Sequence, residues 1–181
     1  ILYALSSLVR LNSSKSSLIK SQMGRVVSKR FSSQLAMQLP TQGVFAFSPE
    51  GITFASKDED GLIHLRDVVT ARSLVVFDGY TKDVTHIVFS PDGKELALIH
   101  RVGKDYRLAL LNIATRDLTI MTQNKSDESP YFSPNGGMII FATNRDNKGI
   151  LSIISLHNNQ IVELTQKDGV VREPSWSNYS N

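Results

Sequence analysis

The sequence predicts an all-β protein made of β-propeller blades, on the basis of three observations. A turn motif, Phe-Ser-Pro-x-Gly, begins at Phe47, Phe89 and Phe132, and a degenerate copy begins at Trp176. These aromatic residues are 42, 43 and 44 residues apart, and such a fixed period is typical of propeller blades. Between the motifs, apolar and polar residues alternate in short runs separated by turns, as in antiparallel strands. We therefore expect three four-stranded antiparallel blades plus one extra C-terminal strand.

The motif itself predicts a tight turn between two strands of a hairpin. Proline presets φ at the first corner, Asp or Asn tolerates the second corner, and Gly accepts positive φ. Because each motif follows an apolar strand, the chain should fold back on itself there.

The predicted blades span residues 44–82, 83–127 and 128–170, and the closing strand spans 174–179. The strands expected within the blades are 44–48, 52–56, 62–68 and 73–77, then 84–90, 95–100, 107–113 and 118–122, then 130–133, 138–143, 150–156 and 160–165. Propellers usually have about 4–8 blades. Three blades therefore predict a partial ring, or a ring completed by association through open blade edges.

Residues 1–43 form a basic, Ser-rich N-terminal segment that lacks the repeat. Residues 1–49 hold six Lys or Arg and no acid, whereas residues 50–181 hold 14 basic and 17 acidic side chains. Three interpretations remain open: a targeting peptide with a processing site near Lys29–Ser33, a secretory signal, and a linker or upstream remnant. Because the repeats carry no basic excess, nucleic-acid binding by them is not expected, and no apolar run reaches the roughly 18 residues of a membrane span.

Several segments after Asp83 resemble the TolB family, the periplasmic propellers of the Tol–Pal system. The strongest likeness is the C-terminal pattern Pro-x-Trp-Ser-x-Tyr, here Pro174 to Tyr179. The other matching segments are Asp127–Pro130, Phe132–Gly136, Met138–Ile140, Gly149–Leu151 and Asp168–Val171. The clear likeness covers about the last 55 residues and extends more loosely over about 100.

The first blade instead resembles a WD40 repeat, through Asp60–Asp67 and Phe77–Thr81. Arg66 stands where that repeat has tryptophan, and Tyr80 stands where it has histidine. We therefore do not expect the buried hydrogen-bond tetrad of WD40 blades here.

The resemblance to TolB implies a non-enzymatic protein-binding scaffold of the cell envelope. It implies the peptidoglycan-associated lipoprotein Pal as partner, a periplasmic location and no cofactor. The family's contact with TolA comes from an N-terminal domain that residues 1–43 do not resemble. Those residues leave a mitochondrial or other organellar location as the alternative.

Motifs for catalysis or metal binding are weak in this sequence. The chain has no cysteine and four histidines, His64, His86, His100 and His157, none at metal-ligand spacing. Asp58–Gly61 resembles the start of a calcium loop, but Val69 stands at the twelfth position, where a bidentate Glu belongs. We expect no catalytic, cofactor-binding or metal-binding residue.

The charged loops that precede the inner strands are the predicted protein-binding site, because loops on a rigid scaffold carry binding. The repeat register places them on one rim. The predicted residues are Tyr80, Asp83, Asp127, Glu128, Arg172 and Glu173. Two other functions stay open: the propeller appendage of a prolyl-oligopeptidase-like hydrolase, and a WD40-like interaction scaffold.

Overall fold

A computed structural model of the chain describes residues 44–59, 61–78, 83–145, 148–164 and 173–177. The N-terminal segment 1–43 lies outside the described residues, and so do two of the predicted binding residues, Tyr80 and Arg172. The described part of the chain consists of strands, turns and irregular segments, without helices.

Twelve strands are described, in agreement with the twelve strands that the sequence predicts for the blades. They are β1 (Phe45–Phe47), β2 (Thr53–Lys57), β3 (Ile63–Asp67), β4 (Ser73–Phe77), β5 (Val84–Phe89), β6 (Glu95–Val102), β7 (Asp105–Asn112), β8 (Leu118–Ile120), β9 (Asp127–Phe132), β10 (Met138–Arg145), β11 (Lys148–Ser155) and β12 (Ile161–Leu164).

The strands form three four-stranded sheets in chain order, and every pairing of neighbours is antiparallel. We call β1–β4 blade 1, β5–β8 blade 2 and β9–β12 blade 3. The inner strand β5 packs against β1 on one side and β9 on the other. This meander repeated side by side is the blade arrangement of a propeller, and it confirms the predicted fold class.

Some strand ends differ from the prediction. β9 begins at Asp127, three residues earlier than predicted, because Asp127 and Glu128 pair with β10 across a bulge between Ile140 and Ala142. The β10–β11 hairpin also continues further, to the pair Arg145 and Lys148. Alternation of apolar residues fades in these polar segments, although their backbone groups remain in the ladder.

The repeated motif forms the predicted turn between the first and second strand of each blade. In blade 2 the Ser90 hydroxyl donates to Asp92 Oδ1 at 2.7 Å and accepts from the Glu95 N–H at 3.0 Å. Ser133 and Asn135 repeat the first of these bonds in blade 3, also at 2.7 Å. The bond from Ser90 lowers the pKa of Asp92, because it stabilises the charged carboxylate. Gly93 completes the turn at a φ of +73°.

The core lies between the blades rather than within one of them. Strand β6 shows why: its side chains alternate between two faces, and Leu96 to Ile99 are all fully buried. Leu98 joins the cluster between blades 1 and 2, and Ile99 joins the cluster between blades 2 and 3. Each sheet is therefore a layer that buries apolar side chains against its neighbour.

The predicted closing strand 174–179 is described only in part. Residues 174–177 lie in no β-ladder among the described residues, and 178–179 lie outside them. The Trp176 indole N–H donates to the carbonyl oxygen of Tyr131 at 3.2 Å. This bond fixes the start of the segment against the inner strand of blade 3.

Candidate functional site

The site predicted from the sequence is the end of the blades at which each inner strand begins. We call it the entry rim. Asp83 directly precedes β5, Asp127 and Glu128 begin β9, and Glu173 precedes the segment 174–177. These four residues lie shortly before a repeat aromatic but at different positions of the repeat, and Tyr80 and Arg172 are not described.

Asp83 lies at the surface and forms an ion pair with Arg101 on the neighbouring strand β6. Asp83 Oδ2 is 2.6 Å from Arg101 Nη2, and both side chains are more than two-fifths exposed. The Arg101 N–H also donates to the Asp83 carbonyl oxygen at 3.1 Å. An exposed pair of this kind contributes about 0–1 kcal/mol to stability, so its main effect is to fix the position of the carboxylate.

Asp127 corrects the expected rim of exposed charges, because its side chain is only 2% exposed. Its carboxylate accepts from the Leu108 N–H at 3.1 Å, from the Thr122 hydroxyl, and from the Asn124 side-chain amide at 3.0 Å. The donors belong to blade 2 and the loop that follows it, whereas Asp127 belongs to blade 3. Asp127 therefore links two blades, since a buried carboxylate needs such donors.

Two acidic residues of the entry rim, Glu128 and Glu173, lie at or beside a residue with an unusual backbone conformation. Ser129, which follows Glu128, has a φ of +53°, and Glu173 itself has a φ of +52°. Left-handed conformations are uncommon for residues other than glycine, and bulges such as the one in β9 redirect side chains. Glu128 is half-buried and Glu173 is exposed.

Sequence reasoning did not predict this conformation. Ser129 and Glu173 each precede a proline, and each stands three residues before the aromatic residue of the repeat. The residue before a proline ordinarily adopts an extended conformation with negative φ, so a left-handed backbone is unusual at both positions. Two restricted positions at equivalent places mark the entry rim as a locally strained part of the scaffold, and such strain is concentrated at functional sites.

The repeat aromatics divide into two groups. Phe89 and Phe132 are buried, as predicted for core residues. Phe47 and Trp176 are only half-buried, because they lie at the two ends of the described row of blades. Phe47 instead packs against Phe54, with ring centroids 5.9 Å apart.

The suspected calcium loop in blade 1 is an ordinary turn in its described part. The Asp58 carboxylate forms an ion pair with Arg66 and accepts from the Ser56 hydroxyl at 3.2 Å. Arg66, which stands at the tryptophan position of a WD40 repeat, therefore binds an acid of its own blade.

The described residues contain no group of three or more His, Asp or Glu side chains that could hold a metal ion. His100 is 6% exposed, and burial lowers its pKa, because burial disfavours the charged imidazolium. It lies opposite Val84 in the β5–β6 ladder. Its surroundings are those of a packed interior residue.

A family model described as PD40, the TolB beta propeller domain, matches residues 28–180. This chain belongs to the TolB beta propeller domain family. The match begins inside the N-terminal segment and includes all three blades, blade 1 with its WD40-like sequence among them. It confirms the resemblance that the C-terminal pattern indicated.

The chain is similar to curated proteins named "Tol-Pal system protein TolB". It is 63% identical to the protein of Ruthia magnifica over 86 residues, which are 48% of this chain and 20% of the relative. It is 45% identical to that of Acinetobacter baylyi over 83 residues, 45% of this chain and 20% of the relative. The chain therefore spans about a fifth of the length of these relatives.

Solved TolB structures share the fold. The crystal structure of TolB from Acinetobacter baumannii aligns with a TM-score of 0.62 and 33% identity, over 73% of this chain and 34% of that one. A putative TolB structure from Agrobacterium tumefaciens aligns with a TM-score of 0.57 at 20% identity, over 71% of this chain and 47% of that one. The second likeness concerns the fold alone. In the described residues no helix is long and apolar enough to cross a membrane.

Proposed function

We propose that this chain is a non-enzymatic, protein-binding propeller of the TolB type that acts in the Tol–Pal system of the cell envelope. The supporting observation is the match of the family model to residues 28–180, together with relatives named as Tol–Pal proteins. The proposed partner is the peptidoglycan-associated lipoprotein Pal, and the proposed location is the periplasm. Both follow from the system to which the relatives' names refer.

The entry rim is the proposed docking surface. It presents the Asp83 carboxylate held by Arg101, the half-buried Glu128 and the exposed Glu173. Asp127, directly beside Glu128, holds blade 3 against blade 2. Glu128 thus lies in strand β9 and Asp83 directly precedes β5, and a preordered surface loses less entropy when a partner binds.

The charges of the rim suggest what the partner contributes. Rim charges chiefly affect the rate of association and its salt dependence. A basic or hydrogen-bond-donating face on the partner would complement Glu128 and Glu173. We therefore expect binding to weaken as ionic strength rises, over the range in which the Debye length falls from about 10 Å to about 3 Å.

The test is a charge reversal at the two rim carboxylates, Glu128→Lys with Glu173→Lys. Binding to immobilised, purified Pal is measured by biolayer interferometry at two salt concentrations. We expect affinity to fall about tenfold or more, which corresponds to about 1.4 kcal/mol, mostly through slower association.

Asp117→Lys with Asp92→Lys is the matched control. Both residues are exposed and lie in turns at the opposite end of blade 2. The control should bind Pal as the parent chain does, and melting temperatures should show that both double variants are folded. Equal Pal affinity in the rim variant and the parent chain would disprove the proposed site, and no Pal binding by the parent chain would disprove the partner.

A further inference from the structure

The turns of the three Phe-Ser-Pro-x-Gly motifs differ in charge at their fourth position. That position holds Glu50 in blade 1, Asp92 in blade 2 and Asn135 in blade 3. Blade 3 therefore carries a neutral amide where the other two blades carry a carboxylate. Hydrolysis of the amide to an acid removes this difference in one net reaction, and the surroundings of Asn135 favour that reaction.

The side-chain oxygen of Asn135 accepts hydrogen bonds from two donors. The Ser133 hydroxyl donates to Asn135 Oδ1 at 2.7 Å, and the Gly137 N–H donates to the same oxygen at 3.0 Å. Both bonds draw electron density from Asn135 Cγ and make this carbon more electrophilic. Donors held at roughly 2.7–3.1 Å also stabilise the negative charge that the oxygen acquires when a nucleophile adds to the carbon.

The nucleophile is the backbone nitrogen of the next residue, Gly136. Glycine has no Cβ, so no side chain hinders the approach of this nitrogen to Asn135 Cγ. The Gly136 N–H donates to the Ser133 carbonyl oxygen at 2.8 Å, and this bond must open before the nitrogen attacks. Asn135 is exposed, and backbone hydrogen bonds in exposed turns open locally at a low cost in free energy.

Blade 2 shows that an aspartate fits this turn. Asp92 Oδ1 accepts from the Ser90 hydroxyl at 2.7 Å and from the Lys94 N–H at 3.2 Å. These are the two bonds that Asn135 makes with the equivalent residues of blade 3. An aspartate at position 135 therefore keeps both hydrogen bonds of the turn.

Water reaches this position of the turn even where another blade follows. The Asp92 side chain is 57% exposed, although blade 3 packs directly behind blade 2. Asn135 is exposed at the equivalent place. The exposure is thus a property of the turn, and the reaction needs no unpartnered blade face.

We propose that Asn135 is a site of spontaneous deamidation assisted by the Ser133 hydroxyl, which gives blade 3 the acidic turn that blade 2 already has. The Gly136 nitrogen forms a bond to Asn135 Cγ, and the side-chain amide leaves as ammonia with the proton of the Gly136 N–H. The product is a five-membered succinimide. Water then adds to one of the two ring carbonyl carbons and opens the ring, to aspartate when the bond to Cγ breaks and to isoaspartate when the main-chain bond breaks. The aspartate product keeps the length of the main chain.

The first measurement is peptide mapping by mass spectrometry after the folded chain is incubated at mildly alkaline pH in isotopically labelled water. Deamidation replaces the amide NH2 by OH and incorporates oxygen from the water. Asn158 is the matched control, because it is exposed and accepts from the Gln160 N–H at 3.1 Å, but Asn159 follows it instead of glycine. We expect Asn135 to react at least about tenfold faster than Asn158, since it has the additional hydroxyl donor and the glycine neighbour. Equal rates overturn the proposal.

A second measurement tests the role of Ser133. Ser133→Ala should slow the reaction at Asn135, because one of the two donors to Oδ1 is lost. Ser90→Ala is the matched control, since it makes the same change in the turn of blade 2 and should leave the rate at Asn135 unchanged. An equal rate at Asn135 in Ser133→Ala and the parent chain overturns the assistance by the hydroxyl.

A third measurement tests the product. Asn135→Asp should have the melting temperature of the parent chain, and a lower value would show that the turn does not accommodate the product. Asn135→Gln should not gain the acidic form at this position, because its longer side chain does not close a five-membered ring. These outcomes are independent of Pal binding, since the turn between β9 and β10 lies at the opposite end of the blade from the entry rim.

Discussion

The two interfaces between the blades bury similar apolar clusters but are fixed in different ways. Between blades 1 and 2, Val84 is 1% exposed and contributes only apolar contact. The corresponding residue between blades 2 and 3 is Asp127, 2% exposed, whose carboxylate accepts hydrogen bonds from blade 2. The ladders show the equivalence, because Val84 pairs with His100 and Asp127 pairs with Thr143.

This difference indicates that the interface between blades 1 and 2 fixes the relative position of its blades less tightly than the interface between blades 2 and 3. Apolar contact is non-directional, so the Val84 interface tolerates small changes in the angle between its blades. Hydrogen bonds to a buried carboxylate require one geometry. The second interface is therefore the more precisely positioned of the two, and the entry-rim residue Glu128 lies next to it.

The largest expected effects come from a matched pair of substitutions on β6. Leu98→Ala opens a cavity towards blade 1, and Ile99→Ala opens one towards blade 3. Both side chains are fully buried, so each substitution should lower the free energy of unfolding by about 2–5 kcal/mol. Denaturant titrations followed by circular dichroism give both values.

The pair also tests which blade separates first. Leu98→Ala should increase amide hydrogen exchange across blade 1, because apolar packing dominates that interface. Ile99→Ala should leave blade 3 protected until global unfolding, because Asp127 still links the two blades. Equal local exchange of blades 1 and 3 in the two variants would show that the interfaces do not differ.

An intermediate effect is expected from Asp127→Ala. The substitution removes the acceptor used by Thr122 and Asn124 and leaves their donors without that partner, at a cost of about 1–3 kcal/mol. Val84→Ala at the equivalent position removes only two methyl groups and should cost less. Asp127→Asn is the control, because its amide oxygen can still accept a bond. A cost for Asp127→Ala no larger than that for Val84→Ala would contradict the linking role.

The smallest expected effect is a pH dependence of stability, caused by His100, which lies opposite Val84. Burial lowers the pKa of His100 below its usual value of 6.5. Below pH 6.5 the unfolded chain then binds a proton more readily than the folded chain, so stability should fall as the pH decreases towards the folded pKa. One proton limits the slope to about 1.4 kcal/mol per pH unit.

The corresponding measurement is the melting temperature of the parent chain and of His100→Gln between pH 7.5 and 5.5. The variant should show a shallower decline over this range. Identical declines would assign the acid sensitivity to other groups.

Much of the fold could be predicted because the repeated sequence motif determines the local structure of the turns and strands. In a Ser-Pro-x-Gly turn such as that of blade 2, Ser90 and Asp92 supply hydrogen bonds and Gly93 supplies the positive φ. These residues form a turn wherever an apolar strand precedes them. Alternation in the segments that form β5 and β7 likewise identified strands. The strand ends at Asp127 and Arg145 were not predicted, because polar residues there stay in the ladder through backbone pairing and leave no pattern of side chains.

The candidate site was predicted less completely than the fold. The repeat register predicted Asp83, Glu128 and Glu173 as binding residues beside the inner strands, and their role in binding stays a prediction. It could not show that Asp127 is buried, because Asp127 and Glu128 are adjacent acids that the sequence does not distinguish. The burial of Asp127 depends on hydrogen-bond donors of the neighbouring blade, such as Leu108 and Thr122. The left-handed backbone of Ser129 and Glu173 was likewise visible only in three dimensions.

The sequence by itself determined the period, the strand pairing and the family, because turns and alternation act over a few neighbouring residues. Only the tertiary structure decided which charges reach solvent. Those properties depend on residues of different blades that meet when the blades pack, such as Asp127 and Leu108, which are 19 positions apart. Asp127 and Arg66 are both charged strand residues, yet one links two blades and the other pairs with an acid of its own blade.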